Sequence, residues 1–195
     1  MIIWLNGAFG SGKTTCAFEL NRRIPNSFVY DPENIGFFIR KNLPVKLFKP
    51  NFQDYEQWRN FNYEMLKKIY CEYNGTIIVP MTIINTDYYN EIIQQLINNG
   101  VVLKHYILYA NKDTILKRLN KRFSMGETWA KSQIDFCIHA FDHNITEEKI
   151  ATDNRSIDSI VNEIAHRTGL TLVSDKRNRL KKLIDRSMIL IKHIR

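Results

Sequence analysis

The chain has 195 residues, of which 44% are apolar, 25% charged and 12% aromatic, and its formal net charge is +8. This apolar and aromatic content excludes a disordered chain, and the longest apolar run, 77–84, is far shorter than the ~20 residues of a membrane span. A chain of this length forms about one ordinary domain, which needs no disulfide or structural metal.

The three cysteines form no C-x-x-C pair, so we expect buried thiols rather than zinc ligands or disulfides. The opening residues, Met1–Asn6, contain no basic segment and no cleavage site. They therefore predict no signal peptide and an intracellular, cytoplasmic protein.

Apolar periodicity predicts an alternation of strands and helices along the chain. The predicted strands cover 2–6, 28–30, 76–79, 101–109 and 149–152. The predicted helices between and after them cover 13–24, 34–43, 52–73, 87–98, 111–123, 128–141, a segment from 153 or 156 to 169, and 175–195. Such alternation requires crossover connections, and it predicts an α/β fold with a parallel sheet covered by helices on both faces.

The segment after the first strand, Gly7–Thr14, reads G-x-x-x-x-G-K-T. This is the complete phosphate-binding loop motif between a strand and a helix, the context that the motif requires. The glycines let successive amides point at one anion, and the helix N-terminus adds positive potential. Lys13 would bind the outer phosphates and Thr14 would ligate Mg²⁺. We therefore expect a nucleoside triphosphate, ATP, with Mg²⁺.

A dinucleotide-binding loop is the nearest alternative, with Asp31 as its ribose-binding acid. Thr15, however, stands where that motif needs its third glycine, and the Lys13-Thr14 pair has no role in it. The predicted nucleotide-binding residues are Gly7, Ala8, Phe9, Gly10, Ser11, Gly12, Lys13, Thr14 and Thr15.

In a parallel sheet the ligand lies beyond the carboxyl ends of the strands, so the residues after each strand are candidates. Asp31 and Glu33 follow the second predicted strand. Asp31 is a candidate general base and Mg²⁺ ligand, and Glu33 a candidate substrate-binding residue, although Asp-Pro-Glu is also a common helix start. Arg40, on the next helix, is a candidate for an anionic substrate group or an exposed residue.

After the third strand the sequence reads Pro80-Met81-Thr82, where many phosphate-loop enzymes have a metal-binding acid. Thr82 is therefore assigned to substrate hydrogen bonding, and metal binding depends on Thr14 and Asp31. The aromatic-rich segment 28–63 is interpreted either as core or as a substrate surface, on which Trp58 is the candidate residue.

The helix after the fourth strand carries Arg118 and Arg122 four residues apart, so their side chains share one helical face. Next to a break at 124–127, they predict a lid over about 118–142 whose arginines stabilise charge during phosphoryl transfer. A solvated basic face is the alternative. Lys13, Asp31, Arg118 and Arg122 are the predicted catalytic residues.

Several segments together resemble the bacterial tunicamycin resistance proteins. The segments are 1–14, Tyr30-Asp31-Pro32-Glu33, 58–63, Ile78-Val79-Pro80-Met81-Thr82-Ile83, 116–119, Thr152-Asp153-Asn154 and the basic end 193–195. The resemblance implies a nucleoside-kinase-like, three-layer P-loop fold with strand order 2-3-1-4-5 and a lid, together with ATP binding. It also implies resistance to tunicamycin, a uridine-containing antibiotic with a fatty acyl chain, either by phosphorylation or by sequestration.

The basic character of the chain is concentrated in its last twenty residues. Residues 176–195 hold eight basic side chains and one acid, Asp185, which leaves the other 175 residues at a net charge of +1. Apolar residues at 180, 183, 184, 188, 191 and 194 predict an amphipathic helix. We expect this segment to contact an anionic membrane surface or to dock its stripe on the body, whereas nucleic acid is disfavoured because interleaved aromatics are lacking.

Two functions follow from these patterns. The favoured one is an ATP-dependent small-molecule kinase with a kinase-like domain over 1–175 and a basic helix over 176–195. The alternative is a nucleotide-gated drug-binding protein, peripheral on the inner face of the cell membrane, without phosphoryl transfer. A nucleic-acid-binding ATPase is the least favoured.

Overall fold

A five-stranded parallel sheet forms the centre of the computed structural model, which describes residues 1–121 and 127–193. The strands are β1 Ile2–Asn6, β2 Ser27–Val29, β3 Thr76–Pro80, β4 Leu103–Tyr109 and β5 Glu148–Ala151. They lie in the order β2-β3-β1-β4-β5, and all four pairings are parallel. The predicted α/β class and strand order are confirmed.

The helices alternate with these strands as predicted. They are α1 Lys13–Arg23, α2 Glu33–Lys41, α3 Glu56–Glu72, α4 Thr86–Tyr89, α5 Gln95–Asn98, α6 Lys112–Asn120, α7 Glu127–Ser132, α8 Ile134–His143, α9 Ile157–Thr168 and α10 Arg179–His193. A π-helical segment, Asn90–Gln94, joins α4 to α5. Short 3-10 turns cover Val45–Leu47 and Phe52–Asp54.

Alternate residues of the central strand serve opposite faces of the sheet, which makes the fold three-layered. Ile2 and Trp4 belong to a core built with α3, α6 and α8, whereas Ile3 and Leu5 belong to a second core built with α1 and α9. All four side chains are fully buried, as expected for the central strand of a parallel sheet.

Helix boundaries differ from the sequence prediction where side chains bind the backbone. The helix predicted over 52–73 is split, because Asn51 caps a separate 3-10 turn by accepting from the Gln53 amide, and α3 begins only at Glu56. The helix predicted over 128–141 is two helices that meet at Gln133. These breaks leave the order of elements unchanged.

The C-terminal helix packs against the body with its charged side. Arg177 and Arg186 contact Glu19 of α1, while Leu180, Leu183, Met188 and Ile191 are more than half exposed. The expected alternative in which the apolar stripe docks on the body is therefore not observed. Among the described residues, no helix combines the length and apolar character that crossing a bilayer requires.

Candidate active site

The loop between β1 and α1 has the backbone conformation that its glycines predict. Gly7, Gly10 and Gly12 have φ values of 139°, 85° and 102°, which L residues rarely adopt. A Cβ at Gly7 would lie 2.5 Å from the Leu108 carbonyl oxygen and 2.7 Å from Ser11 Oγ. Only glycine fits there, so the curl of main-chain amides depends on this residue.

Two buried side chains hold this loop against the neighbouring strand. Asn6 Oδ1 accepts from the amides of Gly7 (2.9 Å) and Ile83 (3.0 Å), and Asn6 Nδ2 donates to the Ile83 carbonyl (2.8 Å). The Thr82 hydroxyl donates to the Gly7 carbonyl at 2.8 Å. Since Thr82 is buried and bonded to the loop, its predicted substrate contact is not supported, and the structure gives it a loop-supporting position.

Lys13 lies across the mouth of the loop. Its ammonium donates to the carbonyls of Gly7 (2.8 Å) and Ala8 (3.0 Å) and lies 5.5 Å from the centre of the Phe9 ring. Phe9 in turn meets Trp129 of α7 edge-on, with ring centres 5.0 Å apart. The predicted lid segment therefore contacts the phosphate-binding loop through these two rings.

The turn that carries Asp31 is held by three hydrogen bonds. Asp31 Oδ1 accepts from the Glu33 amide at 3.1 Å, and the indole of Trp58 donates to the Pro32 carbonyl at 2.9 Å. Tyr30 donates to Asn62 at 2.8 Å, and burial together with the charge of Asp31 raises the pKa of the Tyr30 hydroxyl. Asp31 and Glu33 remain half-buried at the carboxyl end of β2.

Two predicted substrate-binding residues have structural contacts instead. Trp58 is completely buried, so it positions the Asp31 turn and offers a substrate no surface. Arg40 donates to the carbonyls of Lys49 (3.2 Å) and Pro50 (2.8 Å), and its guanidinium lies over the Phe52 ring. These contacts tie α2 to the following loop, and they do not support the predicted role of Arg40 in binding an anion.

Arg118 lies at the side of the phosphate-binding loop. One amino group of its guanidinium contacts the carbonyls of Gly10 (3.4 Å) and Ser11 (3.3 Å) and the Thr152 hydroxyl (3.0 Å), and the other donates to the Thr152 carbonyl at 2.7 Å. This direction differs from the phosphate clamp expected from sequence. Arg122, its predicted partner, lies outside the described residues.

A cavity of about 750 Å³ opens beside the same edge of the loop. It is lined by Gly10, Ser11, Gly12 and Thr15 from the loop and α1, by Arg118 and Lys121, by Arg155, Ser156, Ile157, Asp158 and Ile160 around the start of α9, and by Arg177, Arg179, Lys182, Leu183, Arg186, Ser187 and Leu190 of the C-terminal segment. Its size is in the range of ligand pockets, ~300–1,000 Å³. Sequence patterns did not indicate the α9 and α10 walls, because they carry no motif.

The residues present fit a nucleoside triphosphate with Mg²⁺. The loop curl that a Cβ at Gly7 would obstruct is the geometry that surrounds a phosphate with amides. Ser11 Oγ is buried and has no hydrogen-bond partner among the described residues, so a polar atom faces the loop interior. Thr14 and Asp31, both half-buried, supply oxygen atoms of the kind that Mg²⁺ prefers.

Several solved structures resemble this chain over most of its length. The tunicamycin resistance protein of Deinococcus radiodurans is 27% identical with a TM-score of 0.73, over 89% of this chain and 99% of that one. The shikimate kinase of Bacteroides thetaiotaomicron (19% identity, TM-score 0.58) and the deoxyadenosine kinase of M. mycoides (18%, 0.54) each match over 87% of this chain and 99% of theirs. No family model and no curated protein matches the chain.

The resemblance predicted from sequence is confirmed by the first of these structures, and the two kinases support the fold. The chain therefore has a kinase-like P-loop fold and is similar to a tunicamycin resistance protein.

Proposed function

We propose that this chain, which is similar to a tunicamycin resistance protein, is an ATP-dependent kinase that phosphorylates a nucleoside-type small molecule such as tunicamycin. The observation that carries the proposal is the glycine-dependent loop, with Lys13 across its mouth and the Asp31 turn at the neighbouring strand end. In this proposal the loop amides and Lys13 bind the phosphates and favour the charge that develops during transfer.

Asp31 is the proposed base for the acceptor hydroxyl. It is half-buried, and its turn is fixed by Trp58, so the carboxylate is held in one place. Thr14 and Asp31 would ligate Mg²⁺, which supplies charge neutralisation when bound. Glu33 lies on the same turn, where it would contact the nucleoside substrate.

Arg118 is assigned to the nucleoside end of ATP rather than to its phosphates. Its guanidinium is directed to Thr152 and to the outer carbonyls of the loop, and it lines the cavity beside Gly10–Gly12. A planar guanidinium at that edge can stack on a base.

The experiment is incubation of the full chain with Mg²⁺-ATP and tunicamycin, followed by mass spectrometry of the drug. We expect a singly phosphorylated product that is absent with the Lys13→Met variant. ATP and drug binding without any product would contradict the kinase proposal.

Binding without transfer is the second candidate, and one observation favours it. Residues 80–85 contain no acid, and Thr82 is already bonded to Gly7, so the segment after β3 supplies no carboxylate for the metal. In this alternative the protein sequesters the drug in an ATP-dependent way.

Contact of α10 with a membrane surface is compatible with both proposed functions, the kinase and the drug-sequestering protein. The exposed apolar stripe of α10, Leu180, Leu183, Ile184, Met188 and Ile191, is flanked by exposed Lys176, Arg179 and Lys181. Such a surface suits an anionic bilayer and a lipid-tailed drug. Sedimentation with phosphatidylglycerol vesicles tests it: the full chain should bind, and the Leu180→Glu/Ile191→Glu double variant should not.

A further inference from the structure

The basic C-terminal segment forms one wall of the cavity beside the phosphate-binding loop. Lys182, Leu183, Arg186, Ser187 and Leu190 all line it, on successive turns of α10. Gly10–Gly12 with Thr15 and the residues at the start of α9 line it as well. The cavity thus exists between the loop and a helix that joins the body late in the chain.

The cavity lies next to the part of the loop that binds the inner phosphates of a nucleotide, and this position indicates which part of the nucleotide it would hold. In a loop of this type the lysine meets the outer phosphates, whereas the amides toward the start of the helix surround the inner ones. Thr15 and Gly12 line the cavity. A triphosphate chain that runs inward from Lys13 therefore continues into this space, which its ribose and base would occupy.

Ion pairs, rather than apolar contacts, hold α10 against the body beside the cavity. Glu19 of α1 is buried, with its side chain 1% exposed, and it pairs with both Arg177 and Arg186. Arg186 also donates to Asp158 at 2.8 Å, and Lys182 lies 3.2 Å from Asp175. The oxygen atoms of Glu19, Asp158 and Asp175 lie within 4.8 Å of one another, so the acids form one cluster that the basic face of α10 neutralises.

Through Glu19, α10 contacts the helix that begins at the phosphate-binding loop. Glu19 lies on α1, whose first residues are Lys13 and Thr14 of the loop. The same Arg186 that pairs with Glu19 also lines the cavity. Removal of α10 would open the cavity to solvent and leave the buried Glu19 carboxylate without these cationic partners, a costly state.

From this arrangement we propose that α10 is a wall of the nucleotide site and covers the end of the pocket where the nucleoside binds. Because of this wall, the protein binds a nucleoside triphosphate more tightly than it binds a bare polyphosphate. The inference rests on the proposed nucleotide binding and deepens it. It assigns to α10 a role besides membrane contact.

The test compares two neighbouring substitutions in the full chain, in lipid-free buffer. Ser187 and Met188 are both exposed, but of the two only Ser187 is among the described residues that line the cavity. Titration calorimetry would measure the binding of ATP and of inorganic tripolyphosphate to Ser187→Trp and, as the matched control, to Met188→Trp.

We expect Ser187→Trp to weaken ATP binding at least tenfold and to change tripolyphosphate binding less than twofold, while Met188→Trp changes neither. Equal ATP affinity in the two variants would overturn the proposal. So would equal losses of ATP and tripolyphosphate in Ser187→Trp, because the wall would then not be specific to the nucleoside end.

A second pair of variants removes side-chain atoms instead of adding bulk, and urea unfolding of both variants measures any loss of stability. Leu190→Ala removes cavity-lining atoms, and Ile191→Ala is the control on the exposed side of the helix. We expect a loss of ATP affinity of several-fold only in Leu190→Ala. If the unmodified chain bound neither ATP nor tripolyphosphate, the proposed function would fail; if it bound both and no variant discriminated, this inference alone would fail.

Discussion

Arg177 and Glu19 form an ion pair although they are 158 positions apart in the chain. The pair joins the segment before α10 to the helix that begins at the phosphate-binding loop. Arg177 also contacts Asp175 and Asp185, and its hydrogen bonds to Asp175 hold the pKa of that carboxyl well below its usual range. A buried carboxylate with two arginine partners is therefore the centre of the C-terminal docking.

The first prediction concerns this buried carboxylate. Glu19→Gln should lower the free energy of unfolding by about 3 kcal/mol, because it removes the most deeply buried carboxylate of the cluster, the one that Arg177 and Arg186 share. Urea unfolding measures the change, and hydrogen exchange should show faster opening of α10. Glu72→Gln is the matched control, since Glu72 pairs with Lys68 on the surface, and it should cost less than about 0.5 kcal/mol. Equal stabilities of the two variants would contradict this role of Glu19.

The second prediction is a pH dependence that originates at His105. His105 lies in β4, stacked on Tyr89, and neither ring nitrogen has a hydrogen-bond partner among the described residues. Burial lowers its pKa to about 3, from an unfolded value of about 6.5. Between these values the unfolded chain binds a proton that the folded chain does not. Stability is therefore complete above about pH 6.5 and decreases by up to ~1.4 kcal/mol per unit as the pH falls toward 3.

His105→Phe isolates this contribution, because phenylalanine keeps the ring and removes the titration. The stability of the native chain minus that of the variant should decline between pH 6.5 and pH 3 and be constant above that window. At pH 7 the variant should be at least as stable, since two unpaired buried nitrogens are removed. If the stability difference between the native chain and the variant did not change with pH, His105 would take up its proton at the same pH in the folded and the unfolded chain.

Features that are formed within one short segment could be predicted from the sequence, whereas those that depend on residues far apart in the chain could not. The position of the Gly7–Thr14 loop between a strand and a helix was predicted, because its motif, strand and helix lie in one short segment. The position of Arg118 was missed, since it depends on Thr152, which is 34 residues away. Periodicity predicted the amphipathic α10 but not its orientation, because Glu19 in the sequence looks like an ordinary surface acid of α1.

Trp58 shows a second limit of pattern reading. From its position in the sequence, an aromatic residue between the second and third strands fits either a core, the favoured interpretation, or a substrate surface. The structure places it in the core, where its indole nitrogen binds the Pro32 carbonyl. Its effect on the site is thus to position Asp31, which no sequence pattern indicates.

The third prediction uses two glycines with positive φ. Gly7→Ala should reduce ATP affinity at least roughly tenfold, equivalent to about 1.4 kcal/mol, because the new Cβ would collide with the Leu108 carbonyl. Gly169→Ala is the matched control: its φ is 70°, and no described atom lies within 4 Å of an added Cβ. It should cost about 1 kcal/mol of stability through backbone strain and leave ATP affinity unchanged. Calorimetric titration and urea unfolding of both variants would reveal any departure from this pattern.

The fourth prediction separates the two carboxylates of the β2–α2 turn and rests on the proposed kinase activity. Asp31→Asn should lower kcat by about 10²- to 10⁴-fold, the usual contribution of a general base, with little change in ATP affinity. Glu33→Gln, two residues away, should raise KM for the drug and leave kcat nearly unchanged. Turnover by Asp31→Asn at the rate of the unmodified chain would exclude Asp31 as the base.

The fifth prediction follows from the contact between the loop and α7. Trp4 and Trp58 are fully buried, whereas Trp129 is 44% exposed and lies against Phe9, whose ring is close to the Lys13 ammonium. Acrylamide should therefore quench mainly Trp129, and Trp129→Phe should remove the quenchable fraction. When Lys13 turns to a bound triphosphate, the environment of the Phe9–Trp129 pair changes, so ATP should alter the quenching constant. Lys13→Met should abolish that response while keeping the quenching of the free protein. An identical quenching constant with and without saturating ATP would show that α7 does not respond to the nucleotide.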